Sequence, residues 1–229
     1  EVQGSFSLSR PKLEGLRSLS FSFQTQGLDV SDRHQYVPKV LPAGLKEWIA
    51  NSLLSGELLN LQFAYHGQGH HVDYLNSRRI ELMGDYADLN VIYFNNWPMV
   101  SEAEGRVHLR GKETIISVAG ASTLGFERIS ANFAIDHVLD TLLGSVEFTS
   151  SGNGVIPFIL NSPLKEDLSF VSKDWESKGL INGELNVSFP FSDKFSSELA
   201  LDMRFHLGNF DLLVPNYNLV FRSLSGTGD

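Results

Sequence analysis

Residues 199–207 read LALDMRFHL, and large apolar side chains alternate there with small or polar ones. The apolar positions are Leu199, Leu201, Met203, Phe205 and Leu207, and the charged or titratable positions between them are Asp202, Arg204 and His206. A period of two is typical of a β-strand that has one apolar and one hydrated face. This segment therefore predicts a long, half-buried strand.

The same alternation recurs along the whole chain, on both sides of this segment. Its apolar positions are Phe6, Leu8, Leu19, Phe21, Phe23, Leu59, Leu61, Phe63, Tyr65, Val107, Leu109, Ile129, Phe133, Ile135, Val146, Phe148, Leu185, Val187 and Phe189. Strands that are wet on one face are characteristic of antiparallel sheets. We therefore predict an all-β fold, mainly β with one amphipathic helix.

A helix is predicted at about residues 42–55. Pro42 stands at its start, apolar residues then follow at helical spacing, and Gly56 stands where a left-handed C-terminal cap would fall. Trp48 lies on the apolar stripe of this helix, and we expect it to pack on the sheet. The pattern within residues 163–170 is compatible with a second, shorter helical turn but is too brief to predict one.

The 229 residues are consistent with one large β domain spanning 1–229, with a tail at about 224–229. Because the chain begins at Glu1 without a methionine, we expect it to be a segment of a longer protein. Glycine precedes an apolar alternation at Gly105, Gly144 and Gly183, each 39 residues after the last. This spacing indicates either an internal repeat or the common use of glycine at strand starts.

The apolar face of such a sheet needs a cover. Ten or so strands make a face on the order of 1,000 Å², of which a twelve-residue helix covers about a fifth. Each large apolar side chain left in water forfeits roughly 1.5 to 3 kcal/mol. The sheet must fold onto a second sheet, close into a small barrel, or curl into a groove filled by an apolar ligand. The abundance of Phe and Leu favours a curled antiparallel sheet forming an apolar groove, with a β-sandwich as the alternative.

Composition excludes several classes of function. The chain has 27 acidic and 18 basic residues, a net charge of −9, which disfavours nucleic-acid binding. It has no cysteine, so disulfides, thiolate metal sites and cysteine nucleophiles are excluded. No apolar run approaches the length of about 20 residues that a membrane-spanning helix needs.

Motifs for catalysis and cofactor binding are weak or absent. The one dense group of metal-ligand types is His66, His70 and His71 with Asp73, but it lies at a strand end that runs into a glycine-rich turn. A solvated loop explains this group better than a metal site, so we predict no metal and no cofactor. The nucleophile-elbow and phosphate-loop patterns do not occur, and no acid, base and nucleophile can be assigned. We therefore predict that the protein is not an enzyme.

Short motifs in a fixed order carry a family resemblance. Leu41-Pro42, Trp48 and Gly56 are followed by Asn96-Trp97-Pro98-Met99, Val107-His108-Leu109-Arg110-Gly111, Ser162-Pro163-Leu164 and Gly183-Glu184-Leu185. In this order and spacing the chain resembles the central region of AsmA-like proteins, of the YhdP type, from about residue 41 to 224. The segment 66–76 departs from the family because it lacks the usual Phe-Pro pair and Gly-x-Phe.

The resemblance implies a bridge-like lipid transfer protein that is anchored in the inner membrane and carries phospholipid along a periplasmic β-groove to the outer membrane of Gram-negative bacteria. Its partners would be phospholipid or another acyl lipid, and membranes through parts of the chain outside this sequence. The groove-lining candidates are Leu59, Leu61, Phe63, Val107, Leu109, Ile129, Phe133, Ile135, Val146, Phe148, Leu185, Val187, Phe189, Leu201, Met203 and Phe205. The alternative function is a self-contained β-sandwich module for adhesion or carbohydrate binding, with Trp97 as a test position.

Overall fold

In the computed structural model of the chain, the described residues are 2–9, 17–37, 43–69, 78–94, 96–136, 138–139, 141–190 and 200–228. The strands are β1 Val2–Ser9, β2 Arg17–Asp29, β3 Leu53–Gly69, β4 Arg79–Val91, β5 Val100–Arg110, β6 Glu113–Thr123, β7 Phe126–Asp136, β8 Thr141–Ser151, β9 Glu176–Pro190, β10 Ala200–Val214 and β11 Leu219–Gly228. The α-helices are α1 Arg33–Tyr36, α2 Ala43–Ser52, α3 Val155–Leu160 and α4 Leu164–Asp167. Short 3-10 turns occur at Val30–Asp32, Gly152–Gly154 and Pro215–Tyr217.

All eleven strands form one antiparallel sheet, in which spatial order follows chain order from β1 to β11. Each strand pairs with the next one along the chain. Alternating period-two segments joined by turns favour this pairing of neighbours. Within the described residues β1 and β11 pair on one side only, so the sheet is open at both edges. The predicted curled antiparallel sheet is confirmed. The β-sandwich alternative is wrong, because no second sheet is present among the described strands.

The connections at the two ends of the strands are of different kinds. At one end, which we call the helical rim, the described connections are residues 30–37, 43–52, 92–94, 96–99, 124–125, 152–175 and 215–218, and they hold the described helices and 3-10 turns. At the other end, the turn rim, described connections include the two-residue turn at Gly111 and Lys112. The helices therefore lie along one rim and not across the sheet.

Bulges interrupt the strand pairing near the helical rim, and they are aligned from strand to strand. Residues with positive φ at this level are Gly27, Gly56, Asp88, Glu102, Gly179, Asn209 and Ser223. Neighbouring members touch, since Gly56 lies against the backbone of Asp88 and Gly179 against that of Asn209. These positions lie in β2 to β5 and in β9 to β11, and because a bulge bends its strand and increases the local twist, the strands of both groups are expected to bend at this level. We call this set the bulge line.

The best-packed core lies at the bulge line. Val30, Tyr86, Leu89, Ala103 and Ala121 are buried there in one cluster. Partly buried residues packed against this cluster are Leu53, Leu58, Val91, Val100, Val118 and Ile129. Tyr86 and Val118 of this group share one face of the sheet, because Tyr86 pairs with Gly105 and Gly105 pairs with Val118.

The predicted helix at 42–55 is shorter in the structure and ends differently. The helix α2 ends at Ser52, and the chain continues directly into β3. The Arg33 guanidinium donates to Ala50 O at 2.5 Å, and Ile92 N donates to Ser52 O at 2.9 Å. These donors satisfy carbonyls at the helix end, so Gly56 is not a helix cap. It lies instead in β3 with a φ of 125°.

Two further expectations from the sequence concern a helix and the end of the chain. Trp48 is 42% exposed and its helix α2 contacts β3, so the packing of Trp48 against the sheet stays a prediction. The expectation of a tail at about 224–229 is wrong, because through residue 228 this segment belongs to β11, where Leu224 pairs with Phe210. A short helix, α4, lies within 163–170, where the sequence pattern is too brief to predict one.

The 39-residue glycine spacing does not mark a structural repeat. Gly105 lies in β5, Gly144 in β8 and Gly183 in β9. The first interval therefore crosses three strands and the second crosses one. The same distance in sequence corresponds to two different distances in the sheet.

Replacing Gly56 tests the bulge line. A Cβ at this position would lie 2.6 Å from Leu89 Cδ2 and 2.8 Å from Asp88 O, at a φ that favours glycine. We expect Gly56→Ala to lower the free energy of unfolding by about 2 to 4 kcal/mol, through backbone strain and overpacking. Urea unfolding followed by circular dichroism measures this change.

The matched control is Gly208→Ala, also in a strand, where the nearest atom to a new Cβ is Leu180 Cβ at 3.9 Å. This variant should change the stability by less than about 1 kcal/mol. Equal stability of the two variants would show that the bulge at Gly56 is not a strict requirement of the fold.

Candidate functional site

Side chains that stand directly opposite one another in the sheet share a face, so the strand register defines the surface available to a ligand. One row contains Phe23, Phe63, Leu82, Leu109, Thr114, Ile135 and Leu142. The next contains Thr25, Leu61, Gly84, Val107, Ile116, Phe133, Gly144, Val187 and Leu201. The third contains Tyr86, Gly105, Val118, Ala131, Val146, Leu185 and Met203, and the fourth Ile129, Phe148, Gly183, Phe205 and Gly228. We call the surface made by these rows the apolar face.

Most groove-lining candidates from the sequence fall in these rows. The candidates that share the face are Leu61, Phe63, Val107, Leu109, Ile129, Phe133, Ile135, Val146, Phe148, Leu185, Val187, Leu201, Met203 and Phe205. Leu59 falls at a break in the β3–β4 register and is 38% exposed, while its neighbour Leu58 pairs with Tyr86 and packs on the core. The side chain of Phe189 lies outside the described residues. That these residues line a lipid path stays a prediction.

Sequence reasoning missed apolar-face residues in β4 and β6. In β4, Gly84 interrupts the alternation between Leu82 and Tyr86, so the segment lacks the expected third apolar residue. In β6, Ile115 and Ile116 are adjacent, and the sequence does not show which of them faces inward. The register resolves this, because Ile116 pairs with Val107 on the apolar face.

Burial along the apolar face differs from strand to strand. Leu61 in β3 is 8% exposed and Ala131 in β7 is 4% exposed. Leu201 in β10 is 46% exposed, and Phe6 in the edge strand β1 is 72% exposed. Within the part of the chain that the structure describes, no element covers these outer side chains. The face is therefore open to an apolar partner.

Stacked aromatic rings line the apolar face near β1. Phe21 stacks on Phe63 and on Tyr65, with ring centroids 5.6 and 5.2 Å apart. Phe23 stacks on Phe63 at 5.3 Å. Cross-strand aromatic pairs stabilise a sheet that is not covered by a second layer. This part of the face is thus held in place by contacts within the sheet itself.

A second aromatic cluster joins the helical rim to the apolar face. Phe148 contacts Phe126 at 5.3 Å between ring centroids, and Phe126 contacts Phe158 of α3 at 4.9 Å. Trp97 lies between Phe158 and Tyr93, at 6.0 and 6.2 Å. Trp97 was the test position for carbohydrate binding, but its ring packs in this cluster and is not an exposed platform. The cluster closes part of the face at the helical rim.

The opposite face of the sheet carries hydrophilic side chains in cross-strand pairs. Arg106 Nε donates to Asp85 Oδ1 at 2.6 Å, and Asn60 Nδ2 donates to Asp85 Oδ2 at 3.3 Å. These bonds, the one from Arg106 above all, hold the pKa of Asp85 below its usual range. His108 lies 3.2 Å from Glu81. Such exposed pairs add little stability but keep this face hydrated.

Of the histidine group seen in the sequence, the structure describes only His66. His66 Nδ1 lies 2.7 Å from Ser20 Oγ, a hydrogen bond across β2 and β3. His70, His71 and Asp73 lie outside the described residues. Among residues that are described, no three His, Cys, Asp or Glu side chains group as metal ligands do. The described helices include none that is long and apolar enough to span a membrane.

The candidate site is an open, one-sided apolar face that is bent at the bulge line and backed by a hydrated face. Such a surface binds hydrocarbon without forming bonds to it. The family model of the YhdP protein matches residues 1–227 of this sequence. The chain belongs to the YhdP family.

Membership of this AsmA-like family confirms the resemblance seen in the short motifs, and it extends the match to nearly the whole chain. The family is related to lipid transport and is not enzymatic. Neither the curated proteins nor the solved structures gave a significant match.

Tyr86 provides a test of the contacts that stabilise the buried part of the apolar face. Its hydroxyl donates to Ser117 O at 2.9 Å, and burial raises its pKa to about 12. The unfolded chain ionises its tyrosines near pH 10, so Tyr86 contributes stability that is complete below pH 10 and is lost as the pH rises toward 12.

We expect Tyr86→Phe to lower the stability at neutral pH by about 0.5 to 1.5 kcal/mol, because one buried hydrogen bond is lost. The variant should also lose less stability than the parent between pH 10 and 12. Urea unfolding at a series of pH values measures both effects. An unchanged alkaline profile would mean that Tyr86 ionises as an exposed tyrosine does.

Proposed function

We propose that this chain is a section of a periplasmic groove that carries phospholipid acyl chains between the inner and outer membranes of Gram-negative bacteria. The observation that carries this proposal is the apolar face, which continues over the sheet and has no described cover at its edges. Membership of a family related to lipid transport supports it. The phospholipid, the periplasmic location and the inner-membrane anchor are parts of the proposal.

The dimensions of the sheet suit an acyl chain. The longest apolar row runs from Thr25 in β2 to Leu201 in β10, which is eight strand spacings of about 4.8 Å, so it extends roughly 38 Å across the strands. Each methylene that leaves water for an apolar surface gains about 0.8 kcal/mol. An acyl chain that lies along the rows would be stabilised over its whole length, while its polar headgroup stays in water at the open side.

Transport of this kind needs no covalent chemistry. The apolar rows lower the free energy of a hydrocarbon chain between two membranes, and the opposite, polar face keeps the protein hydrated. The rows contain side chains of similar character from Phe23 to Leu201. A lipid can therefore shift along them without crossing a charged group on the face.

The proposal predicts that the 229-residue chain, purified from a Gram-negative host without detergent, carries phospholipid. Mass spectrometry of a solvent extract should detect phospholipid at a constant ratio to protein. An acidic cytosolic protein of similar size, purified in the same way, is the control for carry-over. Lipid at no more than the control level would contradict the proposal.

A pair of leucines on opposite faces tests the path itself. Leu201 lies on the apolar face and is 46% exposed, and Leu143 lies on the polar face and is 56% exposed. Both are half-exposed, so an aspartate at either site remains hydrated and the sheet should still fold. We expect Leu201→Asp to weaken binding of a pyrene-labelled phospholipid about tenfold or more, because a carboxylate now stands in the apolar path.

Leu143→Asp should bind the same probe as the parent does. Pyrene fluorescence during titration measures the affinity, and circular dichroism confirms that both variants fold. If both substitutions weaken binding alike, or if neither does, the apolar face is not the lipid site.

A further inference from the structure

Four aromatic side chains of the apolar face lie directly over a glycine in the next strand. A Cβ on Gly144 would be 2.4 Å from Phe133 Cδ1, and a Cβ on Gly183 would be 2.4 Å from Phe148 Cζ. The other two pairs are Phe205 over Gly228, at 2.5 Å, and Tyr86 over Gly105, at 2.7 Å. A real Cβ does not approach another heavy atom this closely, so each ring occupies space that only glycine leaves free. We call these the aromatic–glycine pairs.

Tyr86 shows how flat such a ring lies. Its side chain starts from β4, crosses β5 at Gly105, and donates its hydroxyl hydrogen to Ser117 O of β6. A side chain can bridge three adjacent strands in this way only if it lies along the sheet. A side chain that stands upright instead projects roughly 5 Å, half of the distance of about 10 Å between packed sheets.

All four rings lean in the same direction, toward the strand that follows in the chain. Phe133 leans from β7 to β8, Phe148 from β8 to β9 and Phe205 from β10 to β11. Gly183 stands between Phe148 and Phe205 in one row, yet only the Phe148 ring lies over it. The four aromatic side chains therefore all lean along the direction in which the apolar rows run.

We infer that the aromatic–glycine pairs set the depth of the groove and select lipids with unbranched acyl chains. This inference rests on the proposed function. A floor of rings lying flat gives continuous contact to a straight hydrocarbon chain, whereas methyl branches hold a chain away from a flat surface and forfeit dispersion contacts. A Cβ at Gly144 or Gly183 would lift the ring into the path of the chain.

The test compares two competitors for a bound pyrene-labelled phospholipid: dipalmitoyl and diphytanoyl phosphatidylcholine, which have straight and branched chains. We expect the parent to prefer the straight-chain lipid by about tenfold, a selectivity that close apolar contact can supply. Gly144→Ala should weaken straight-chain binding about tenfold, because the displaced Phe133 ring obstructs the floor. Gly208→Ala, where a new Cβ meets only Leu180 Cβ at 3.9 Å, is the matched control and should bind as the parent does.

Two further variants separate groove depth from general destabilisation. Phe133→Leu removes the ring, so it should retain straight-chain binding and lose the preference over the branched lipid. The double variant Phe133→Leu with Gly144→Ala has no ring to displace, so it should fold and bind the straight-chain lipid even if Gly144→Ala alone does not fold. Circular dichroism reports folding in every case.

The outcomes distinguish the inference from the function on which it rests. If the folded parent binds neither lipid, the proposed function fails. If the parent binds both lipids equally, or if folded Gly144→Ala binds as the Gly208→Ala control does, the inference is overturned while lipid binding stands. A Phe133→Leu variant that keeps the full preference for straight chains would also overturn it.

Discussion

The fold depends on one constraint, which is that consecutive strands place most of their large apolar side chains on the same side of one sheet. An antiparallel sheet tolerates one hydrated face, but the other face must leave water. Part of this face leaves water at the bulge line. A compact cluster around Tyr86 and Leu89 is buried there. The rest of the apolar face stays open, and that open remainder is the candidate site.

The bend and the site are made by the same kind of residue. Glycine permits the positive φ at Gly56 and Gly179 and thereby allows bulges to align. Glycine also leaves room for an aromatic ring at Gly144 and Gly183. In a protein whose sheet has no second layer, such contacts within the sheet replace those that a packed sheet would provide. Glycines therefore contribute both to the bulge line and to the aromatic–glycine pairs.

In the proposed function the apolar face acts by solvation alone. It offers hydrocarbon a continuous apolar environment and offers water a ladder of charged and polar pairs on the reverse, such as Asp85 with Arg106. Membership of the YhdP family is consistent with that division of roles. The helices add to it at the helical rim only, where α3 joins the sheet through the contact of Phe158 with Phe126.

The sequence by itself determined most of the strands, their amphipathic faces and the family, because period-two alternation in segments such as residues 199–207 is local and each strand pairs with its neighbour in the chain. It did not indicate β4, β6 or β11. Features that depend on how neighbouring strands meet were not predictable in this way. The sequence does not show whether Ile115 or Ile116 faces inward, and the pairing of Ile116 with Val107 decides this. Leu58 takes the place of Leu59 on the core because a bulge shifts the register by one residue. Likewise, Gly56 has the spacing of a helix cap, but the backbone of β4 holds it in a strand. Tertiary structure decided these points because a single bulge, which involves two strands, reverses which face a side chain takes.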